Sequence, residues 1–253
     1  LQSYRLLFLT RYVVTLFQEA EIPVIVLKGV ATGNLYDVPE LRKSGDVDIL
    51  LAEKVKDQKI IDIMSKAGFQ KTEEQHANHH IAFATKEGIS IEVHTLLAEP
   101  FAYKKINKAM ERQTEVSKKH FYVENVIGVE LPVLDKPFHA YELLLHMLQH
   151  FMYAGFGLKL LCDWVMIWRK NWSQEEKQLF RELTEESGTD KFAEMITAVC
   201  TKYLGMEEEG FAWKIADDLL ADDFLREILD AEEFGNSAPG RMVMMQGTAC
   251  GRM

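Results

Sequence analysis

The ten residues RKSGDVDILL, at 42–51, set two carboxylates two positions apart where an apolar run begins. Side chains at i and i+2 of a strand share a face, so Asp46 and Asp48 point the same way. Close carboxylates repel and raise at least one pKa unless a cation lies between them. A third acid is placed to join them. In ISIEVHTLL, at 89–97, Ile89, Ile91 and Val93 alternate with Ser90, Glu92 and His94. Glu92 and His94 therefore share the polar face of a strand able to neighbour DVDILL. Three carboxylates on adjacent strands suit a hard divalent cation, Mg²⁺ first and Mn²⁺ as its substitute, because such ions take carboxylate and phosphate oxygens. A pair of such ions can hold the attacking and leaving oxygens of an in-line phosphoryl displacement. An acid beside the acceptor can take its proton as general base.

The run VIVLKGVATGNLY, at 24–36, reads as strand, turn and short helix, and supplies the other half of such a site. Gly29 lets a ligand approach the backbone, and a helix N-terminus offers free N–H groups to anions. Lys28 stands at that corner, within reach of a phosphate. Arg42, four residues before Asp46, has the planar fork that matches phosphate oxygens.

Taken together, LKG, LYDVPELRKSGDVDILL and IEVHTLL resemble the poorly characterised nucleotidyltransferase family of the DNA polymerase β superfamily. The shared pattern is a Lys-Gly turn, a Tyr, an Arg shortly before an Asp-x-Asp strand, and a later Glu-x-His strand. It covers residues 22–97, and more loosely the segments HMLQH and LKLLCDW. The chain departs from the broader superfamily at Val30, where Ser or a second Gly usually follows the glycine. The resemblance implies a minimal nucleotidyltransferase fold, with Asp46, Asp48 and Glu92 as both catalytic residues and metal ligands. Lys28, Gly29, Arg42 and His94 are then expected on the nucleotide side. The implied reaction moves a nucleoside monophosphate from an NTP, such as ATP, to an acceptor hydroxyl on a small molecule, a protein or an RNA end. A metal-dependent glycosyltransferase is the other enzymatic reading of Asp-x-Asp, but it needs a nucleotide-binding βαβ region well upstream. A degenerate nucleotidyltransferase serving as a binding or regulatory module is the non-enzymatic one.

These residues need elements to position them. Helical periodicity is expected over 4–20 and 53–69, strands over 22–27 and 46–51, and β-like segments over 69–74, 79–86 and 88–97. The loop KEG should join the last two as a hairpin. A helix near 102–112 and strands HFYVENV and VELPVL follow. From Pro137 the pattern turns helical, over 138–153, 157–170, 173–187, 190–204 and 211–231. The expected class is α+β: a nucleotidyltransferase-like α/β domain with a mixed sheet at 1–134, a helical domain at 135–233, and a flexible or docking tail at 234–253.

Other motifs read more plainly. His76, His79 and His80 lack a matching second ligand pair and read as a polar loop before a strand. His146 and His150 share a helix face, and Trp164, Trp168 and Trp172 recur as a core stripe. Across 253 residues, 39 acids against 29 bases give a net charge of −10, which disfavours an extended nucleic-acid surface. Cys162, Cys200 and Cys250 show no disulfide rhythm, and no run has membrane-spanning length, so a cytoplasmic protein is expected. The chain opens on Leu1 without a signal-peptide pattern, so a trimmed N-terminus is expected.

Overall fold

The computed structural model describes residues 2–72, 79–153, 155, 157–212 and 218–229. His76, Cys250 and the tail at 234–253 lie outside them. Two compact units divide the chain, Leu1–Glu142 and Leu143–Met253.

The first unit is built on one mixed sheet of seven strands in the order β3-β4-β5-β2-β1-β7-β6. The strands are β1 (Val24–Leu27), β2 (Asp46–Leu51), β3 (Gln70–Lys71), β4 (His80–Ala84), β5 (Ser90–His94), β6 (Phe121–Val126) and β7 (Val129–Leu134). β2 runs antiparallel to β1 and parallel to β5, while β1 runs parallel to β7. The KEG loop closes the expected antiparallel hairpin of β4 and β5, with the Thr85 amide donating to the Ile89 carbonyl at 3.0 Å.

Alternation along the strands divides the labour of the two faces. Val47, Ile49 and Leu51 of β2 and Ile91 and Val93 of β5 join a core with α1 (Gln2–Glu19) and α3 (Asp57–Lys66). α1 brings Leu6, Leu7, Val13, Val14 and Phe17 to it, and α3 brings Ile60 and Met64. Asp46, Asp48, Glu92 and His94 take the opposite face, as period-two geometry requires. A short helix, α2 (Gly29–Gly33), leaves β1 at its polar end.

Several boundaries shift for local reasons. α3 begins at Asp57 because Lys56 is extended, with ψ at 135°. α4 (Lys104–Ser117) begins later than the apolar pattern implies. Asn107 exchanges two 2.7 Å hydrogen bonds with the backbone of Phe101, which holds the preceding residues in a turn. It also ends later, because Gln113, Thr114 and Ser117 are buried and give no apolar signal.

After β7 every described element is helical. α5 (Lys136–Tyr153) carries the chain into the second unit, followed by α6 (Leu158–Trp168), α7 (Gln174–Ser187), α8 (Asp190–Leu204) and α9 (Asp218–Leu229). The expected helix at 211–231 is not continuous from its start, since Phe211 and Ala212 form a bend. Trp164 and Trp168 are buried on α6. Trp172 lies beyond that helix and stacks on Trp168 with ring centroids 4.1 Å apart.

Candidate active site

The corner after β1 is held in an uncommon backbone form. Lys28 has φ 38° and ψ −143°, and Gly29 follows with φ 45°. Glycine takes positive φ without steric cost, whereas a lysine there stores about 1–3 kcal/mol of strain. A Cβ on Gly29 would meet the Asp46 carbonyl at 3.5 Å, an ordinary contact, so the backbone angle is what requires glycine here. Arg42 is buried, and its Nη1 donates to the Gly29 carbonyl at 2.9 Å and to the Ser44 hydroxyl at 2.8 Å. Thr32 Oγ1 lies 3.0 Å from His139 Nε2, tying α2 to α5. Thus fixed, the corner places Lys28 Nζ 3.3 Å from Asp48 Oδ1.

Parallel register does the rest. Asp48 stands opposite Glu92 and Asp46 opposite Ser90. The Asp48 side chain is 1% exposed, and that of Glu92 is 23% exposed. His94 Nε2 lies 2.9 Å from Asp48 Oδ1 and 3.2 Å from Glu92 Oε2, bridging the two carboxylates. Burial works against the Lys28 ammonium, yet Asp48, Glu142, Glu92 and Asp46 outweigh it and raise its pKa. Burial also opposes the His94 imidazolium, but hydrogen bonds to Asp48 and Glu92 raise its pKa. Burial, the largest single cause, pushes Glu92 up, but the His94 hydrogen bond together with the charges of His94 and Lys28 outweighs it, so the net shift is downward. The Lys28 ammonium and the His94 hydrogen bond thus make a buried Asp48 tolerable.

Asp46 sits at the exposed mouth of β2. Desolvation of its carboxyl and the charge of Asp48 raise its pKa, with Lys28 opposing. One ligand atom each from Asp48, Glu92 and His94 lie within 4.8 Å of one another, and Asp46 is not part of that set. The structure therefore brings together Lys28, Asp48, Glu92 and His94, keeps Asp46 on the same face within electrostatic reach, and turns Arg42 inward onto the corner. Two carboxylates and an imidazole in such proximity can accept a divalent metal ion, with oxygen as the majority donor.

Two features escaped the sequence reading. Glu142, on α5, is fully buried, and neither of its carboxylate oxygens has a hydrogen-bond partner. Burial and Asp48 push its pKa up to about 8, against the pull of Lys28, His94 and Arg42. The sequence signal is a lone acid inside the apolar helical run AYELLL. The second feature is the company kept by His79 and His80, which the reading of a polar loop before a strand leaves open. His80 is the first residue of β4, directly opposite His94 in the hairpin register. His79 is 5% exposed, its carbonyl accepts the Thr95 amide at 2.8 Å, and burial followed by His80 and His94 lowers its pKa to about 4.

An α+β chain with a mixed sheet and a cluster of acids and histidines able to hold a metal ion is the class defined so far. The chain belongs to the uncharacterised nucleotidyltransferase family, whose sequence profile matches residues 1–205. Among solved structures it is similar to an antigenic nucleotidyltransferase-like protein from Paracoccidioides brasiliensis, at 16% identity and a TM-score of 0.45, over 76% of this chain and 93% of that one. The lincosamide antibiotic adenylyltransferase LnuA, bound to lincomycin, aligns at 14% identity and a TM-score of 0.42, over 62% of this chain and 92% of that one. A Thermotoga maritima CCA-adding enzyme in complex with tRNA aligns at 11% identity and a TM-score of 0.31, over 97% and 70% of the two chains. No curated protein matches the sequence significantly. No helix among the described residues is long and apolar enough to cross a membrane.

Proposed function

We propose that this chain is a divalent-metal-dependent nucleotidyltransferase, moving a nucleoside monophosphate from an NTP to an acceptor hydroxyl. The observation that carries the reading is the register of β2 on β5. It sets Asp48 against Glu92 with the Lys28 ammonium 3.3 Å from Asp48. Family membership supports the same class.

In this reading Asp46, Asp48 and Glu92 hold the metal, best filled by Mg²⁺ or Mn²⁺ because the donors are mainly carboxylate oxygens. When bound, such an ion neutralises phosphate charge and orients the displacement. The acceptor oxygen attacks the α-phosphorus, the bond to the bridging oxygen breaks, and pyrophosphate leaves with that electron pair. Glu92, the more exposed of the paired acids, takes the acceptor's proton. Lys28 steadies phosphate oxygens with a charge its carboxylate neighbours keep fully protonated. Arg42 acts from within by holding the Gly29 carbonyl, so its part is to fix the corner on which Lys28 and the nucleotide rest. His94 orients both carboxylates. Most of the rate enhancement would come from this electrostatic positioning. The catalytic domain is assigned to residues 1–134 and the helical domain to 135–233.

Calorimetric titration with each of the four NTPs, with and without Mg²⁺, tests the reading without knowledge of the acceptor. Mg²⁺-dependent binding is expected, weakened by at least about tenfold in Asp48→Asn, since even an outer partner of a metal ligand is worth about 10–100-fold in metal affinity. A folded wild-type chain that binds no Mg·NTP would overturn the catalytic reading and leave a module that has retained its carboxylates for another purpose.

A further inference from the structure

We propose that His79, His80 and His94 form a nitrogen-donor site for a borderline transition-metal ion of the Zn²⁺ class, beside the oxygen-donor site of Asp48 and Glu92. One ring nitrogen of each histidine lies within 4.8 Å of one from each of the others. The ring centroids are 4.3 Å apart for His79 and His80, 5.2 Å for His80 and His94, and 6.0 Å for His79 and His94. Three imidazoles form a donor set that prefers Zn²⁺, Co²⁺, Ni²⁺ or Cu²⁺, and a hard ion such as Mg²⁺ competes poorly for it.

Two further observations point to a ligand. Nδ1 of His79 and Nδ1 of His94 are both buried without a hydrogen-bond partner, on residues 5% and 3% exposed. Buried imidazole nitrogens are ordinarily satisfied, so two unpartnered ones in adjoining rings mark a missing partner. The outer contact of His94 is already that of a metal-binding histidine. His94 keeps Nε2 on the carboxylates of Asp48 and Glu92, the support that fixes the tautomer and raises the basicity of a ligating ring. His79 keeps Nε2 2.7 Å from His80 Nδ1. The backbone holds both strands in place. His80 pairs with His94 in the hairpin, and the Thr95 amide and hydroxyl both donate to the His79 carbonyl, at 2.8 and 3.0 Å.

His94 belongs to both donor sets, so an ion on the histidines fixes the ring that orients Asp48 and Glu92. The histidine site is therefore a device for setting the geometry of the acid site. It stands whether or not that acid site transfers nucleotides.

The test is titration of the metal-stripped chain with Co²⁺, followed by visible absorption. One Co²⁺ per chain with nitrogen-type bands is expected, displaced by Zn²⁺ and retained in excess Mg²⁺ and in Asp46→Asn. His80→Gln and His79→Ala should each weaken binding at least tenfold, with circular dichroism confirming the fold. Absence of bands in folded wild-type protein, bands that survive in both folded histidine variants, or bands removed by Mg²⁺ or Asp46→Asn would overturn the proposal. Should the buried His79 variant fail to fold, electron paramagnetic resonance of the Cu²⁺-loaded wild type decides. Superhyperfine lines from three imidazole nitrogens support the site, and one nitrogen or none overturns it. Because Co²⁺ binding is read separately from NTP binding, failure of one leaves the other standing.

Discussion

Among the described residues of the α/β unit the buried charged and imidazole side chains are Arg42, Asp48, His79, His94, His139 and Glu142, and they interact around the end of β1 and the mouth of β2. In the helical unit Asp163 is the one such side chain among the described residues. The buried hydroxyls of Thr184, Ser187 and Thr197 there bond back to their own helices, as Ser187 does to the Leu183 carbonyl at 2.9 Å. Around them lie Trp164, Trp168, Phe180 and Phe211 in tilted and edge-to-face contact. Burial of ionisable groups lowers stability unless partners offset it, whereas burial of aromatic rings adds to it. The two units therefore spend burial differently, one on poised charge and the other on packing.

The largest effect expected from this contrast lies in the helical unit. Trp164 is fully buried, and its Nε1 donates to Thr197 Oγ1 at 2.9 Å. Trp164→Ala should cost about 3–5 kcal/mol of unfolding free energy from the cavity and the lost ring contacts. Urea titration measures this directly. Mg²⁺-dependent NTP binding at low temperature should remain, since none of the candidate site residues belongs to that unit. A folded variant that loses nucleotide binding would break the comparison.

A smaller effect of opposite sign is expected at Glu142. Its pKa stands at about 8 in the folded chain against an ordinary 4.5, so between those values the folded chain binds more protons than the unfolded one. Stability must then fall as pH rises through that window. The accumulated cost at pH 7 is about 3 kcal/mol. Glu142→Gln removes the titration while keeping the shape, so it should leave stability near pH 4 almost unchanged and raise it progressively toward pH 8. Thermal unfolding in chelator across this range is the measurement. An equal shift at both ends would mean that Glu142 is not the group responsible.

Much of the charged unit was legible because period-two alternation is a strong signal. DVDILL and SIEVH each declare one apolar and one polar face, and pairing their polar faces brings Asp48 to Glu92. The β4–β5 register was also implicit. A hairpin turning at KEG that pairs Ala84 with Ser90 must pair His80 with His94, yet that step requires committing to the turn before reading the histidines. The inward turn of Arg42 was not legible, because it depends on where the Gly29 carbonyl points after a positive-φ lysine. Glu142 was hidden by its place on a helix whose other residues read as plain core. Sequence patterns report which face a residue takes, but not which distant charge meets it there.

The smallest expected effect contrasts two helix starts. α2 begins after the strained Lys28, with no side-chain cap. α7 begins at Ser173 with a complete capping box, in which the Glu176 amide donates to Ser173 Oγ at 3.2 Å and the Ser173 amide to Glu176 Oε2 at 2.8 Å. Ser173 is exposed and Glu176 half-buried, so little burial is involved and the contribution is the two satisfied amides of the first turn. Ser173→Ala should cost about 1 kcal/mol, and Ser173→Asp should recover most of it, since either oxygen can accept from the amide three residues on. Denaturant midpoints for the three chains measure the series. A loss in Ser173→Ala that Ser173→Asp does not recover would locate the effect outside the cap. A loss of several kcal/mol would mean that the packing of the helical unit depends on how α7 enters it, which would make that unit less purely a packed aromatic core than the contrast with the charged corner holds.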